Sequence, residues 1–185
     1  MKVEEFLQCL VSTSAKAANI ARACRREPAL FELLVEEKKG EDKNAKFDQD
    51  FKTLADVLIQ ETVRHDVSKK YHVLANNIFG EESNKFTNKI GESVELTIQE
   101  NENETKGLLK TVLNDNEEAA ELLAKEVHCD IPTNKHVKLD IDLELDAADI
   151  GIWIDPIDAT SQYIKGGDEG VIADGYLPTK GLQVH

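Results

Sequence analysis

The sequence has little positive charge and no long hydrophobic run. Its 185 residues include 22 basic and 36 acidic ones, which leaves a formal net charge of −14. Proteins that coat nucleic acid or anionic membranes need a positive field, so this balance argues against both classes. No apolar run reaches the roughly 18 residues that a membrane span requires. We therefore expect no nucleic-acid partner and no insertion into a membrane.

Paired cysteines and a secretory signal are also missing. The three cysteines, Cys9, Cys24 and Cys129, form no Cys-x-x-Cys motif and have no histidines at zinc spacing. Glu4 and Glu5 stand where a secretory signal would have its cationic region and apolar core. Hydrophobic residues make up 41% of the chain, which is enough for a folded core. The sequence thus predicts a globular cytoplasmic protein with reduced cysteines.

The spacing of apolar residues predicts helices in the first part of the chain. Apolar residues three and four apart favour a helix over 3–24. Pro28 is placed to begin a second helix, which Gly40 would end, and Thr53 is placed to open a third. Two more helical segments are expected over residues 105–113 and 117–128.

Four other segments have the pattern of strands. They are a short mixed segment, two alternating segments and one compact apolar run, at 71–79, 94–98, 137–145 and 150–154. The last run should stop at Asp155-Pro156, because proline cannot donate to a strand ladder. Trp153 in that run is expected to pack in the core. Together these patterns predict a layered α/β fold with a mixed sheet.

An acidic turn follows the last predicted strand. Pro156 stiffens the turn, so that Asp155, Asp158 and the carbonyl of Ile157 can face one centre. Hard divalent cations prefer this mixture of carboxylate and carbonyl oxygens. Thr160 supplies the next hydroxyl within reach. Strand ends are where α/β proteins usually place their sites, so this turn is the leading candidate.

Two further acidic groups are weak signals when each is taken alone. Glu81 and Glu82 follow Gly80, and Asp56 lies near the start of the third predicted helix. A pair of glutamates is more typical of a solvated loop, and an aspartate on a helix is more typical of the surface. Their importance depends on whether the fold brings them to the acidic turn.

The motifs Gly80-Glu81-Glu82-Ser83 and Trp153-Ile154-Asp155-Pro156-Ile157-Asp158-Ala159-Thr160 together carry a family resemblance. They resemble the paired signature of the magnesium-dependent, lithium-sensitive phosphomonoesterases, the superfamily of inositol monophosphatase and fructose 1,6-bisphosphatase. The flanking residues 51–58, 79–84 and 162–166 narrow the resemblance to members that act on inositol polyphosphates. The resemblance implies the α-β-α-β-α sandwich of that superfamily, with residues 1–185 as its N-terminal metal-binding part and the C-terminal part absent.

The resemblance also implies roles for the acidic groups. Two or three magnesium ions would be bound by Asp56, Glu81, Glu82, Asp155, Asp158 and the carbonyl of Ile157. The catalytic residues would be Asp56, Glu81 and Thr160, with Asp56 polarising Thr160 to activate the attacking water. The phosphate would be bound by Asp158, Ala159 and Thr160, and lithium would compete for one magnesium position. Ala159 departs from the family pattern, which often has serine or glycine there.

The implied reaction is hydrolysis of the 1-phosphate of inositol 1,4-bisphosphate and inositol 1,3,4-trisphosphate in phosphatidylinositol signalling, by an enzyme that is monomeric at full length. Two alternatives stay open. One is a bisphosphate 3′-nucleotidase of the same superfamily. The other is a truncated, catalytically inactive fragment that still binds metal, because relatives continue well past the point that matches His185.

Overall fold

The computed structural model describes residues 1–26, 28–40, 43–46, 50–132 and 142–166. Six α-helices lie within these ranges: α1 (Val3–Cys24), α2 (Pro28–Phe31), α3 (Leu54–Lys70), α4 (Glu102–Lys110), α5 (Glu117–His128) and α6 (Thr160–Lys165). Six strands of three residues each lie there as well: β1 (Val35–Glu37), β2 (Phe51–Thr53), β3 (Ile78–Gly80), β4 (Lys85–Thr87), β5 (Ser93–Glu95) and β6 (Ile152–Ile154). The chain is therefore a mixture of helices and small sheets.

Helix α3 is the central element of the main hydrophobic core. Every residue from Leu54 to Thr62 is buried, as expected for a helix with neighbours on all sides. Helices α1 and α5 pack against each other, and α1 also packs along α3. Thr53 caps α3, and α1 spans the predicted residues, so both predictions are confirmed. No helix in the described part of the chain has both the length and the apolar character needed to cross a bilayer.

The second predicted helix is much shorter than expected. It begins at Pro28 as predicted, but it ends at Phe31 and a 3-10 turn leads into β1 instead of a helix reaching Gly40. The reason is strand pairing, because Val35 lies opposite Thr53 in an antiparallel ladder with β2. The backbone N–H of Lys38 continues the ladder by donating to the carbonyl of Asp50 at 2.8 Å.

The strands form three separate pairs in the described residues, two antiparallel (β1–β2, β4–β5) and one parallel (β3–β6). In the parallel pair, Phe79 lies opposite Trp153 and Gly80 opposite Ile154. The carboxyl ends of parallel strands meet at one edge, so the turn after β3 lies beside the turn after β6. The backbone N–H of Glu81 donates to the carbonyl of Ile154 at 3.1 Å. The mixed α/β class is thus confirmed, whereas the five-layer sandwich stays a prediction.

Two strand predictions have partial outcomes. Over 94–98 the regular strand covers only Ser93–Glu95, yet Val94, Leu96 and Ile98 are all buried as the alternation predicted. The predicted strand 137–145 lies outside the described residues up to 141. In its described part, Glu144 forms an isolated antiparallel bridge with Lys2.

The prediction that Trp153 packs in the core is wrong. Its side chain is 78% exposed and stacks on the ring of Phe79, with ring centroids 4.8 Å apart. The cause is the strand period of two. Ile152 and Ile154 of β6 point toward a small second core around Phe6 and Leu74, and the residue between them points the opposite way.

Candidate metal centre

The ends of β3 and β6 and the start of α6 border an open pocket of about 410 Å³. Six of the eight predicted site residues line it: Glu81, Asp155, Ile157, Asp158, Ala159 and Thr160. The other lining residues are Lys38, Asp50, Phe51 and Ser161. Asp56 and Glu82 are buried next to this region and do not line the pocket. The fold therefore gathers motifs that are more than seventy residues apart in the chain.

The acidic turn is held from below by the core. The Ile157 side chain is buried, and Tyr163 of α6 is 2% exposed and donates its hydroxyl to the carbonyl of Ala21 at 2.7 Å. Ala159 has the left-handed torsions φ 57° and ψ 51°, which are uncommon for a residue with a Cβ. The Thr160 hydroxyl donates to the carbonyl of Ile157 at 3.1 Å. That oxygen keeps a second lone pair with which it can bind a cation.

Asp56 takes part, with Thr53, in the N-terminal cap of α3. Its Oδ2 accepts hydrogen bonds from the backbone N–H and the hydroxyl of Thr53, both at 2.7 Å, and its own N–H donates to the Thr53 hydroxyl at 3.3 Å. This reciprocal arrangement is a capping box. In the described residues the Thr160 hydroxyl donates to the carbonyl of Ile157, so the polarisation of Thr160 by Asp56 stays a prediction. Asp56 is 1% exposed, not on the surface as a lone helical aspartate usually is.

Burial changes the titration of this aspartate. It raises the pKa of Asp56 to about 7, although the two hydrogen bonds from Thr53 act in the opposite direction. The nearby charge of Glu82 raises the pKa further, and Lys38 lowers it. A carboxyl group that titrates near neutrality is suited to accept a proton in catalysis.

A buried ion pair joins Glu82 to Lys38. Lys38 Nζ lies 2.5 Å from Glu82 Oε1, and these side chains are only 5% and 6% exposed. The same ammonium lies 3.4 Å from Glu81 Oε1 and 4.0 Å from Asp50 Oδ2. Burial acts to lower the pKa of Lys38, but the hydrogen bond and charge of Glu82 outweigh it, so the pKa is raised. Lys38 is therefore a cation surrounded by three carboxylates.

The carboxylates around Lys38 bear on whether magnesium fits the site. The ammonium shows that the carboxylate cluster attracts a cation, and oxygen ligands are those that magnesium prefers. Across the described ranges, no three acidic, histidine or cysteine side chains form a ready metal cage. The donor chemistry thus fits magnesium, while the described side chains are not drawn together around one ion.

Two supporting residues were missed by the sequence analysis. Lys38 falls in the stretch predicted as the second helix, where its neighbour Lys39 gives the same signal. Gln60 lies on α3, and its side-chain amide donates to the carbonyl of Glu82 at 2.6 Å and accepts from the N–H of Glu82 at 3.0 Å. Neither role has a local sequence signal, because both depend on contacts distant in the chain.

Comparison with known proteins gives closely similar relatives. The chain is 48% identical over 181 residues to the inositol polyphosphate 1-phosphatases of Mus musculus and Bos taurus, and 48% identical over 185 residues to that of Homo sapiens. Each match covers 98% of this chain. It covers 46% of the mouse protein and 45% of the other two. No protein-family model matches the sequence.

The relatives are about twice as long as the matched part. The chain is thus similar to the inositol polyphosphate 1-phosphatases along 98% of its own length and about 45% of theirs.

Proposed function

We propose that this chain forms the magnesium-binding side of a lithium-sensitive phosphatase that removes the 1-phosphate from inositol polyphosphates in the cytoplasm. The observation that carries the proposal is the pocket in which Glu81, Asp155, Asp158 and Thr160 come together at the edge of the β3–β6 pair. The relatives' name supplies the substrate class, namely inositol polyphosphates with a phosphate at position 1.

In the proposed site, Glu81, Asp155, Asp158 and the carbonyl of Ile157 would hold magnesium, with Glu82 and Asp56 behind them. Bound magnesium would neutralise phosphate charge and lower the pKa of water for attack. The first N–H groups of a helix have no partner within that helix, so those of Thr160 and Ser161 are our candidate phosphate donors, next to Ala159. Lys38, which also lines the pocket, adds positive charge there.

Removing single carboxylates tests the metal site without relying on activity. We expect Asp155→Asn or Asp158→Asn to abolish magnesium binding in titration calorimetry, since each replaces a charged ligand by a neutral amide. Asp149→Asn is the matched control, because Asp149 is an exposed acid six residues before Asp155 and outside the pocket. Unchanged magnesium affinity in both site variants would refute the assignment.

Turnover of inositol 1,4-bisphosphate with magnesium tests the reaction itself. Release of phosphate that lithium inhibits would support the proposal. A 3′,5′-bisphosphate nucleotide is the comparison substrate, and preference for it would favour the nucleotidase alternative.

A second candidate function is divalent-metal binding without turnover. The observation that favours it is the lining of the pocket by Glu81, Asp155 and Asp158, since these carboxylates could bind a cation whether or not phosphate is released. Magnesium binding that depends on Asp155 and Asp158, together with no phosphate release, would support this second function and contradict the first.

A further inference from the structure

A second open pocket, of about 300 Å³, lies along the C-terminal half of α3. Thr97 and Ile98, from the segment after β5, form one part of its lining. The rest comes from residues three and four positions apart, which share one stripe of the helix and the turn that follows it. These residues are Glu61, Arg64, His65, Ser68, Lys69 and His72. We call this cavity the α3 pocket, and its volume is within the range of small-molecule sites.

The α3 pocket reverses the charge balance of the chain. Over the whole sequence, acidic residues outnumber basic ones by 36 to 22. Among the described lining residues, Arg64, Lys69 and two histidines are accompanied by a single acid, Glu61. Ser68 and Thr97 add hydroxyl groups that can donate hydrogen bonds. A pocket with many donors and one carboxylate is suited to an anion and not to a metal ion.

Arg64 has a hydrogen-bond donor without a partner. Its Nε is buried and donates to no atom of the described residues. Its Nη1 lies 3.5 Å from Oε1 of the buried Glu61, an oxygen that also accepts from the amide of Gln60 at 3.4 Å. An unsatisfied buried donor costs free energy, and a guanidinium binds phosphate with paired hydrogen bonds. The Arg64 side chain is 38% exposed, so it has room to turn this donor toward a bound anion.

His65 is oriented by the acid beside it. Its Nδ1 lies 3.1 Å from Oδ1 of Asp66, and Oδ2 of the same carboxylate lies 2.5 Å from Nζ of Lys16. An ionised carboxylate only accepts, so the ring donates from Nδ1 and keeps Nε2 for another partner. A bound dianion would favour the protonated ring, in which both nitrogens donate. Asp66 is engaged by two cationic side chains and is not among the lining residues of the α3 pocket.

The helix dipole explains only part of this basic stripe. Basic residues in the last turn complement the partial negative charge at a helix C-terminus, which accounts for Lys69 and Lys70. The effect falls off within one turn, so it does not account for Arg64 and His65, which lie further from the end. The same partial charge is unfavourable for an anion, so the side chains have to supply the binding.

We propose that the α3 pocket binds the phosphate group of a small anion, through Arg64, Lys69 and the two histidines. Phosphate offers more charge and more acceptor oxygens than a carboxylate does, which matches this number of cationic donors. The site is separate from the candidate metal centre, because Ser68 is twelve residues, or about 18 Å along the helix axis, from Asp56. The proposal does not rest on the proposed phosphatase function, since it requires neither metal nor turnover.

Titration with inorganic phosphate in the presence of a chelator tests the site without the metal centre. The side-chain NMR resonances of His65 and His72, assigned with His65→Gln and His72→Gln, report binding in the pocket itself. At constant pH and ionic strength, we expect both resonances to shift in the unaltered chain. Arg64→Gln and Lys69→Gln should each weaken phosphate binding by at least about tenfold, because each removes a charge-assisted hydrogen bond.

Arg22→Gln and Lys125→Gln are the matched controls. Both residues are exposed, lie on other helices and are outside the α3 pocket. They remove the same charge, so they should bind phosphate as the unaltered chain does. Lys69 is exposed as well, so Lys69→Gln should leave the circular-dichroism melting curve almost unchanged, which separates lost binding from lost folding.

Inositol 1,4-bisphosphate is the second titrant, and it distinguishes the possible sources of the phosphate group. Tighter binding than that of inorganic phosphate would identify a phosphate ester as the ligand, and equal or weaker binding would identify free phosphate. Three outcomes would overturn the proposal: no histidine shifts in the unaltered chain, binding that Arg64→Gln and Lys69→Gln leave unchanged, or equal weakening by the control variants, which would indicate unspecific attraction.

Discussion

Two lysine–glutamate pairs in this chain have opposite surroundings. Glu82 and Lys38 are 6% and 5% exposed, whereas Glu117 and Lys106 on α5 and α4 are 60% and 19% exposed. Their nitrogen–oxygen distances are similar, 2.5 Å and 2.7 Å. Burial raises the pKa of Glu82 even though Lys38 opposes it. Hydrogen bonds from Lys106 and Lys110 instead lower the pKa of Glu117 to about 2.

The difference shows that contact distance alone does not decide what an ion pair does. At the surface, water solvates both charges, so the lysines lower the pKa of the carboxyl group without having to offset a loss of hydration. In the interior, the carboxylate has lost water as well, and its partner has first to offset that loss. Breaking the buried pair should therefore lower the free energy of unfolding more than breaking the exposed pair does. The buried pair lies at the candidate metal centre.

Lys38→Met should have the largest effect. It leaves the buried Glu82 without its counter-charge, and breaking a buried pair costs about 3–5 kcal/mol of unfolding free energy. Urea unfolding in the presence of a chelator measures this loss. If magnesium can take the position of the ammonium, millimolar magnesium should restore more stability to this variant than to the unaltered chain. A variant as stable as the unaltered chain in chelator would contradict the comparison.

Asp56→Asn should remove a dependence of stability on pH. The pKa of Asp56 is about 7 in the folded chain and 3.8 in its usual state, so between these values the folded state holds a proton that the unfolded chain has lost. Stability should therefore decline as the pH rises from about 4 to about 7, and the decline should be complete above pH 7.

Between pH 5 and pH 8 the unaltered chain should lose on the order of 2 kcal/mol of unfolding free energy through Asp56, and the asparagine variant should not show this loss. Urea unfolding at both pH values, again with chelator, measures it. The matched control is Asp66→Asn, since Asp66 is on the same helix but partly exposed. Parallel pH profiles of the Asp56 variant and the unaltered chain would contradict the prediction.

Lys106→Met should have the smallest effect. Its partners Glu117 and Glu121 are 60% and 63% exposed, and water replaces the ammonium when it is removed. The melting temperature should change by no more than about 2 °C. A loss comparable to that of Lys38→Met would remove the distinction between the two regions.

The sequence predicted the features that depend on local pattern. The extent of α1, the cap at Thr53 and the end of β6 before Pro156 follow from apolar spacing and from the chemistry of threonine and proline. Six of the eight predicted site residues share one pocket because parallel strands place their ends together. What could not be predicted depends on distant partners. Val35 joined a strand because β2 lies beside it.

The errors have the same physical origin. An apolar run such as 150–154 does not reveal which of its two faces is covered, so the exposure of Trp153 was invisible in the pattern. The capping role of Asp56 is an exception with a local signal, because it stands three residues after Thr53 as in a capping box. Lys38 could not be distinguished from Lys39, since only contacts with Asp50, Glu81 and Glu82, all distant in the chain, surround one of them with carboxylates.

Gly80 of the Gly-Glu-Glu motif packs closely against the side chain of Gln60. A Cβ at Gly80 would lie 1.9 Å from the Gln60 side-chain oxygen, which is the oxygen that accepts from the N–H of Glu82. Any side chain at position 80 would thus push away the amide that fixes the glutamate backbone to α3. The glycine of the Gly-Glu-Glu motif therefore leaves the space that the Gln60 side chain needs to hold the turn after β3 against α3, so its role is in packing as well as in chemistry.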